Sequence, residues 1–334
     1  MQSVLPISWV VVLIAIRGDV AQAMQGRAML DHELNGILYT QIDQLAAKEG
    51  MQLHDEVVLS SRWQTVRLEP DSRRAWLNGE IVWLHEPVRR IRRQWAVARV
   101  DVETLLAPLF RPSEHLMNLH VGTIVLDPGH GGKDRGSEGQ RPSVEKQLSL
   151  DVCRRIRKLL INDSVSVQLT RVDDRFLELS QRSIIAKDMG GDLFVSVHFN
   201  SAGNTNASGV EVYALTAATC RSTSDNGGRK PDTRTYAGHR YNASNALLAK
   251  HIHHQLLKAT RANDRGLRRA RFAVLREAPC PAILVECGFL SNAAEEDRIL
   301  SSFYRQRVAE GIAAGIRDYI HAVNLARASV LSHK

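Results

Sequence analysis

The chain of 334 residues has only four cysteines, and no two of them stand at C-x-x-C spacing. A disulfide-stapled scaffold, a zinc ribbon and a dithiol redox site are therefore excluded. Ten prolines and 22 glycines are too few for a collagenous or broadly disordered chain. Long apolar runs are absent beyond the extreme N-terminus, which excludes a polytopic membrane protein. The charge balance is lopsided without being extreme: 44 Lys and Arg against 36 Asp and Glu leave a formal +8. That excess favours anionic partners and does not choose among nucleic acid, a membrane surface and an acidic polymer.

What is present begins with an address. The stretch from Val4 to Ile16 is apolar but short for a bilayer span, and Ala21-Gln22-Ala23 follows it with two small side chains at cleavage spacing. Residues 1–23 read as a secretory signal peptide, so the chain is expected to be exported to the periplasm or cell wall, with no stable transmembrane span in its mature form. Cys153 and Cys287 lie in apolar stretches and read as buried free thiols.

Two domains follow, a small N-terminal α+β module over 24–112 and a larger one over 121–323. Leu34, Ile37, Leu38, Ile42 and Leu45 fall at three-to-four-residue spacing and predict a helix over 31–56. From Glu56 to Val102 short apolar alternations separated by turn signals, with Asn78-Gly79 as a hairpin turn, predict a β-rich unit. The phrase from Leu77-Asn78-Gly79 through Glu86-Pro87 to Leu109 resembles the small N-terminal domain of copper amine oxidases, and that resemblance implies a module without copper or catalysis. Arg89, Arg90, Arg92 and Arg93 read as a solvated hairpin face.

Beyond Phe110-Arg111-Pro112-Ser113 strands and helices alternate. Strands are expected at 122–126, 165–169, 193–197, 210–214, 272–275 and 282–285, and helices around 145–160, 180–189, 244–260 and 303–323. The expected fold class is an α/β sandwich, with a mostly parallel or mixed central sheet flanked by helices. Thr219 to Thr235, rich in Ser, Thr, Gly and Arg, reads as a mobile loop. His251, His253 and His254 spread around one helix turn and read as solvated surface.

Three strands run directly into polar groups. Ile124-Val125-Leu126 ends in Asp127-Pro128-Gly129-His130, Leu193 to Val197 ends in His198-Phe199-Asn200, and Ala282 to Val285 ends in Glu286. Ligands of open α/β sheets collect beyond the carboxyl ends of strands, so these groups are expected to share one crevice. Glu145 opens a helix fifteen residues after His130 and can face the same mouth. Two imidazoles and a carboxylate are the ligand set of a catalytic zinc, which leaves the other carboxylate as a candidate general base.

The segments TIVLDPGHGGKDRGSEG, VEKQLSLDV, LTRVDD, LSQRSIIAKDMGGDLFVSVHFNS, GVEVYAL and DRGLRRARFAVLREAPCPAILVECGFLSN together resemble the zinc-dependent N-acetylmuramoyl-L-alanine amidases of bacterial cell walls, over about Thr123 to Ile320. Carried over position by position, the resemblance implies Zn2+ held by His130, Glu145 and His198, with Glu286 as the catalytic carboxylate and Arg171, Arg182, Asn200 and Asn292 in supporting positions. Lys187, where the family usually has Asn, and Phe199 are departures that touch no proposed ligand. The implied substrate is peptidoglycan, not nucleic acid, cut between N-acetylmuramic acid and L-alanine. A zinc peptidase acting within the stem peptide, or a non-catalytic wall-binding module, are the alternatives. Thr216 to Tyr241 has no helical apolar period that could bury itself over the site, so no protein activator is expected to be required.

Overall fold

The computed structural model describes residues 31–141, 143–223 and 231–331. The expected signal peptide lies outside the described residues, as does 224–230 of the expected mobile loop. The chain divides into two units, one of Met1–Gly79 with Glu86–Val102 and one of Glu80–His85 with Glu103–Lys334.

In the first unit, β1 (Asp31–Leu34), β2 (Ile37–Gln41), β8 (Arg89–Ile91) and β9 (Gln94–Ala98) form an antiparallel sheet in the order β1-β2-β9-β8. Helix α1 (Ile42–Lys48) follows β2, and β3 (Gln52–His54), β4 (Val58–Ser60), β5 (Thr65–Leu68) and β6 (Arg74–Leu77) make an antiparallel meander. This corrects the helix expected over 31–56. Asn35 and Gly36 take φ of 53° and 78°, a conformation that turns a hairpin and ends any helix passing through it. Asn78 and Gly79 likewise turn with φ of 50° and 90°. The Arg92-Arg93 turn joins β8 to β9 and is exposed.

In the second unit, β7 (Glu80–Trp83) is followed by the short helices α2 (Ala107–Phe110) and α3 (Pro112–Leu116), then by β10 (Thr123–Pro128), α4 (Glu145–Leu160), β11 (Ser166–Leu169) and α5 (Leu179–Asp188). Strands β12 (Leu193–Asn200) and β13 (Val210–Leu215), helix α6 (Asn242–Thr260), β14 (Asp264–Ala270), α7 (Ala273–Arg276), β15 (Ala282–Phe289), α8 (Ala293–Leu300) and α9 (Ser302–Leu331) complete it. The sheet order is β11-β10-β12-β15-β13-β14-β7. Strands β11, β10, β12 and β15 are parallel, β13 reverses against β15, and β14 and β7 follow β13 in parallel. The sheet is mixed, as the alternation of elements implied.

Strand periodicity sorts the apolar residues onto two covered faces. Val125, Phe194, Tyr213, Leu215 and Leu284 pack with Ala186 of α5 and with Val274 and Leu275 of α7. Leu126, Val195, Val212, Ile283 and Val285 alternate with them and are fully buried. Helix α9 packs on both α4 and α6. At its closest approach to α6 a Cβ on Gly315 would stand 2.4 Å from the Ile252 Cα, so that crossing requires glycine.

Two expectations are corrected here. The strand expected over 272–275 is instead the helix α7 (Ala273–Arg276) with Phe272 before it, and the strand of that region is β14 over 264–270, whose Asp and three Arg conceal its pattern. His253 is 2% exposed, not solvated, with its Nε2 3.0 Å from the Asp264 carboxylate, while His254 is exposed and bonds Glu80. All four cysteines are free and buried. Among the described residues no helix is long and apolar enough to cross a membrane.

Candidate metal centre

The carboxyl ends of β10, β12 and β15 lie side by side, and the loop after β10 folds back over them. Its path depends on residues that tolerate left-handed backbone: His130, Gly131 and Gly132 have φ of 61°, 134° and 57°. Close approach selects two further glycines. A Cβ on Gly129 would stand 2.3 Å from Cε1 of His198, and one on Gly136 would stand 2.5 Å from Cδ2 of His130 and 2.6 Å from the Glu145 carboxylate. The main chain thus runs directly over both imidazoles.

The result is a convergence of three donors. His130 Nε2 lies 3.0 Å from one Glu145 oxygen and His198 Nδ1 lies 2.7 Å from the other. One donor atom from each of the three residues falls within 4.8 Å of the others, the spacing that a single cation can bridge. Glu145 sits at the start of α4, where the helix dipole favours a carboxylate. It also accepts the N–H groups of Ser137 and Phe199. Burial alone would raise its pKa, but hydrogen bonds from His130 and His198 outweigh that and hold the carboxyl well below the usual range. Burial disfavours charge on His130, yet bonds to Glu145 and Asp134 outweigh it and raise that imidazole.

Glu286 lies in register with His198 across β12 and β15 and with Glu211 across β13. It is 9% exposed, and its Oε2 is buried without a hydrogen-bond partner. Burial first, then the neighbouring carboxylates Glu145 and Glu211, push its pKa well above the carboxylate range. One oxygen of this carboxylate is thus left unpartnered beside the three convergent donors.

A cavity of about 450 Å³ opens on these groups, and His130, Glu145, His198, Glu286, Arg182 and Asn200 all line it. Arg171 stands behind the wall, fully buried, where its guanidinium donates to the carbonyls of Pro128, Gly129 and Lys146 and ties the loop to α4. Arg182 donates to Asp127, Pro128 and the His130 carbonyl. Asn200 donates to Glu211. Asn292 is instead the N-cap of α8, accepting from the Glu295 N–H, and its amide reaches the Thr205 carbonyl. Phe199 is buried, with only its backbone N–H turned to Glu145.

Sequence reasoning passed over Asp127, Asp134, Ser196 and Glu211. A signal existed for two of them: Ser196 precedes His198 by two positions on one strand face, and Asp134 follows His130 by four.

Residues 124–318, more than half of the chain, match the family model described as N-acetylmuramoyl-L-alanine amidase. The chain belongs to that amidase family. Among its relatives, this amidase is 31% identical to the N-acetylmuramoyl-L-alanine amidase AmiA of Escherichia coli (strain K12) over 222 residues, covering 59% of this chain and 76% of that protein. It is 34% identical to the N-acetylmuramoyl-L-alanine amidase CwlM of Bacillus licheniformis over 213 residues, 63% of this chain and 72% of that one. The solved catalytic domain of CwlV, an N-acetylmuramoyl-L-alanine amidase from Bacillus (Paenibacillus) polymyxa, superposes with a TM-score of 0.51 at 35% identity, covering 60% of this amidase and 99% of that domain.

Proposed function

We propose that this amidase hydrolyses the amide bond between N-acetylmuramic acid and L-alanine in peptidoglycan, with a zinc ion held by His130, Glu145 and His198 and with Glu286 as general base. The observation that carries the reading is the convergence of three donor atoms within 4.8 Å beside a buried carboxylate oxygen that nothing else uses. Two nitrogens and one carboxylate oxygen, with one side open to the cavity, fit a catalytic zinc better than magnesium or calcium, which prefer oxygen ligands throughout. When bound, zinc supplies a Lewis acid that polarises the amide carbonyl and acidifies a water.

The remaining chemistry belongs to the chain. Glu286 takes a proton from the attacking water as its oxygen bonds to the lactyl carbonyl carbon, then passes that proton to the departing nitrogen of L-alanine as the C–N bond breaks. Arg171 and Arg182 hold the loop carbonyls of residues 128–130, keeping His130 in its left-handed conformation. The formal +8 charge suits a polymer bearing stem-peptide carboxylates.

Export to the periplasm or cell wall follows from the expected leader and from where such a polymer lies. Activity without a protein activator is the accompanying proposal, tested by assaying the purified chain alone. The test of the main reading is to incubate residues 24–334 with peptidoglycan and identify released peptides by mass. New L-alanine amino termini are expected, and cleavage within the stem peptide would replace this reading with a peptidase. Metal analysis completes it: His130→Ala and His198→Ala are each expected to lose stoichiometric zinc, and full zinc in both would refute the ligand set.

A further inference from the structure

The two imidazoles present opposite nitrogens to Glu145, Nε2 from His130 and Nδ1 from His198. Which nitrogen of an imidazole keeps its lone pair depends on the partner of the other one. The far nitrogen of His130, Nδ1, lies 2.8 Å from Asp134 Oδ2. An ionised carboxylate only accepts, so Nδ1 keeps a hydrogen, which leaves Nε2, the nitrogen facing Glu145, as the one that would turn a lone pair to a cation.

The far nitrogen of His198 reaches a different device. Its Nε2 lies 3.2 Å from Ser196 Oγ, and Ser196 Oγ donates its one hydrogen to Asp127 Oδ2 at 2.7 Å. With that hydrogen committed, Ser196 can only accept from His198, so Nε2 keeps a hydrogen and Nδ1, the nitrogen facing Glu145, is the one that would turn a lone pair to a cation. Asp127 is fully buried, and Thr170 Oγ1 at 2.6 Å and Arg182 Nη1 at 2.8 Å saturate its other oxygen. The same guanidinium donates to the His130 carbonyl at 2.8 Å. One buried carboxylate therefore anchors the strand end that carries His198 and the loop that carries His130.

We infer that Asp127, acting through Ser196 and Arg182, and Asp134, acting directly, are positioning residues that fix opposite tautomers on the two histidines and so preorganise the centre for its cation. The inference rests on the zinc reading above and extends it to residues behind the three donors, of which Asp127, Asp134 and Arg182 also line the cavity. Partners of this kind set ring orientation and ligand basicity, and their loss typically weakens metal binding by about 10- to 100-fold.

The experiment uses the full chain and reads zinc dissociation constants by competition with a chromophoric chelator, with the visible spectrum of the cobalt(II)-loaded protein as a second signature. Ser196→Ala and Asp134→Ala are each expected to bind zinc about 10- to 100-fold more weakly and to alter the cobalt bands. Ser196→Thr keeps the hydroxyl, Asp134→Asn keeps an accepting oxygen, and both are expected to recover most of the affinity. Gly315→Val, which strains the remote contact between α6 and α9, serves as the stability control and is expected to leave zinc affinity unchanged. Zinc binding within about threefold of wild type in both alanine variants would overturn the inference alone. Failure of the wild-type chain to bind zinc would overturn the metal reading and this inference with it.

Discussion

Replacing Glu286 by Gln separates proton transfer from metal binding, because it keeps the shape of the side chain and removes only its capacity to accept a proton. Glu286 is not among the three convergent donors, so zinc content is expected to stay near that of the wild type. Turnover is expected to fall by roughly two to four orders of magnitude, which is about 3 to 5 kcal/mol of transition-state stabilisation. A second consequence comes from its surroundings. Burial and the carboxylates of Glu145 and Glu211 raise the Glu286 pKa, so the folded metal-free protein holds this proton more tightly than the unfolded chain does. The group's favourable contribution is then present below the ordinary carboxylate range and is lost as pH rises above it. Gln cannot ionise, so the metal-free variant is expected to melt higher than wild type at pH 7, with the gap closing toward pH 4. The assays are initial release of peptide from peptidoglycan, zinc content, and thermal melts at both pH values. Near-normal turnover in Glu286→Gln would remove the residue from the mechanism. Zinc loss equal to that of Glu145→Gln would make it a ligand.

Three further outcomes follow from packing and burial. Gly129→Ala places a methyl 2.3 Å from the His198 ring and is expected to lose zinc while folding normally, checked by metal analysis beside circular dichroism; a zinc-replete variant would contradict the close approach. Gly315→Val forces branched carbon against the Ile252 backbone of α6 and is expected to cost about 1–3 kcal/mol of stability in denaturant melts, with activity per folded molecule retained. His251, whose pKa burial first and neighbouring Lys250 second depress to about 4, supports the fold fully above its ordinary value of 6.5 and progressively less as pH falls toward 4. That depression corresponds to roughly 3 kcal/mol, so His251→Gln is expected to flatten the loss of stability between pH 7 and pH 4.5, and parallel slopes for the two proteins would refute it.

The α/β alternation was legible because β10, β12 and β15 are buried on both faces and read as unbroken apolar runs between helices of ordinary length. Where the pattern misled, local chemistry had overruled spacing. Leu34, Ile37, Leu38 and Ile42 satisfy a helical period, but Asn35-Gly36 between them is a hairpin turn, and turn residues at the centre of a run should have outweighed the period. Strand β14 could not be seen as apolar, because Asp264, Arg265, Arg268 and Arg269 are paid for by partners distant in sequence: Asp264 holds the Ile81 N–H, Arg265 and Arg268 share Glu211, and Arg269 reaches the Thr104 carbonyl. Phe272 to Leu275 looked like a strand by composition and instead makes one helical turn covering the sheet.

The site was legible to the extent that its groups stand at strand ends, since a strand end fixes position by topology alone. Two of their partners were not, because Asp127 and Glu211 meet the groups on β12 and β15 only through the register of neighbouring strands, whereas Ser196 and Asp134 lie close in sequence to the histidines they face. The register also explains the surroundings of Glu286 on β15. That strand lies where the sheet changes from parallel to antiparallel, with β12 on one side and β13 on the other, so Glu286 has His198 and Glu211 as cross-strand neighbours. Arg265 and Arg268 both lie 3.0 Å from the Glu211 carboxylate, which keeps that charge in place behind Glu286. A parallel neighbour alone would supply the imidazole. The reversed strand adds a buried negative charge that, after burial and the Glu145 carboxylate, raises the proton affinity of Glu286, the property on which its proposed role draws.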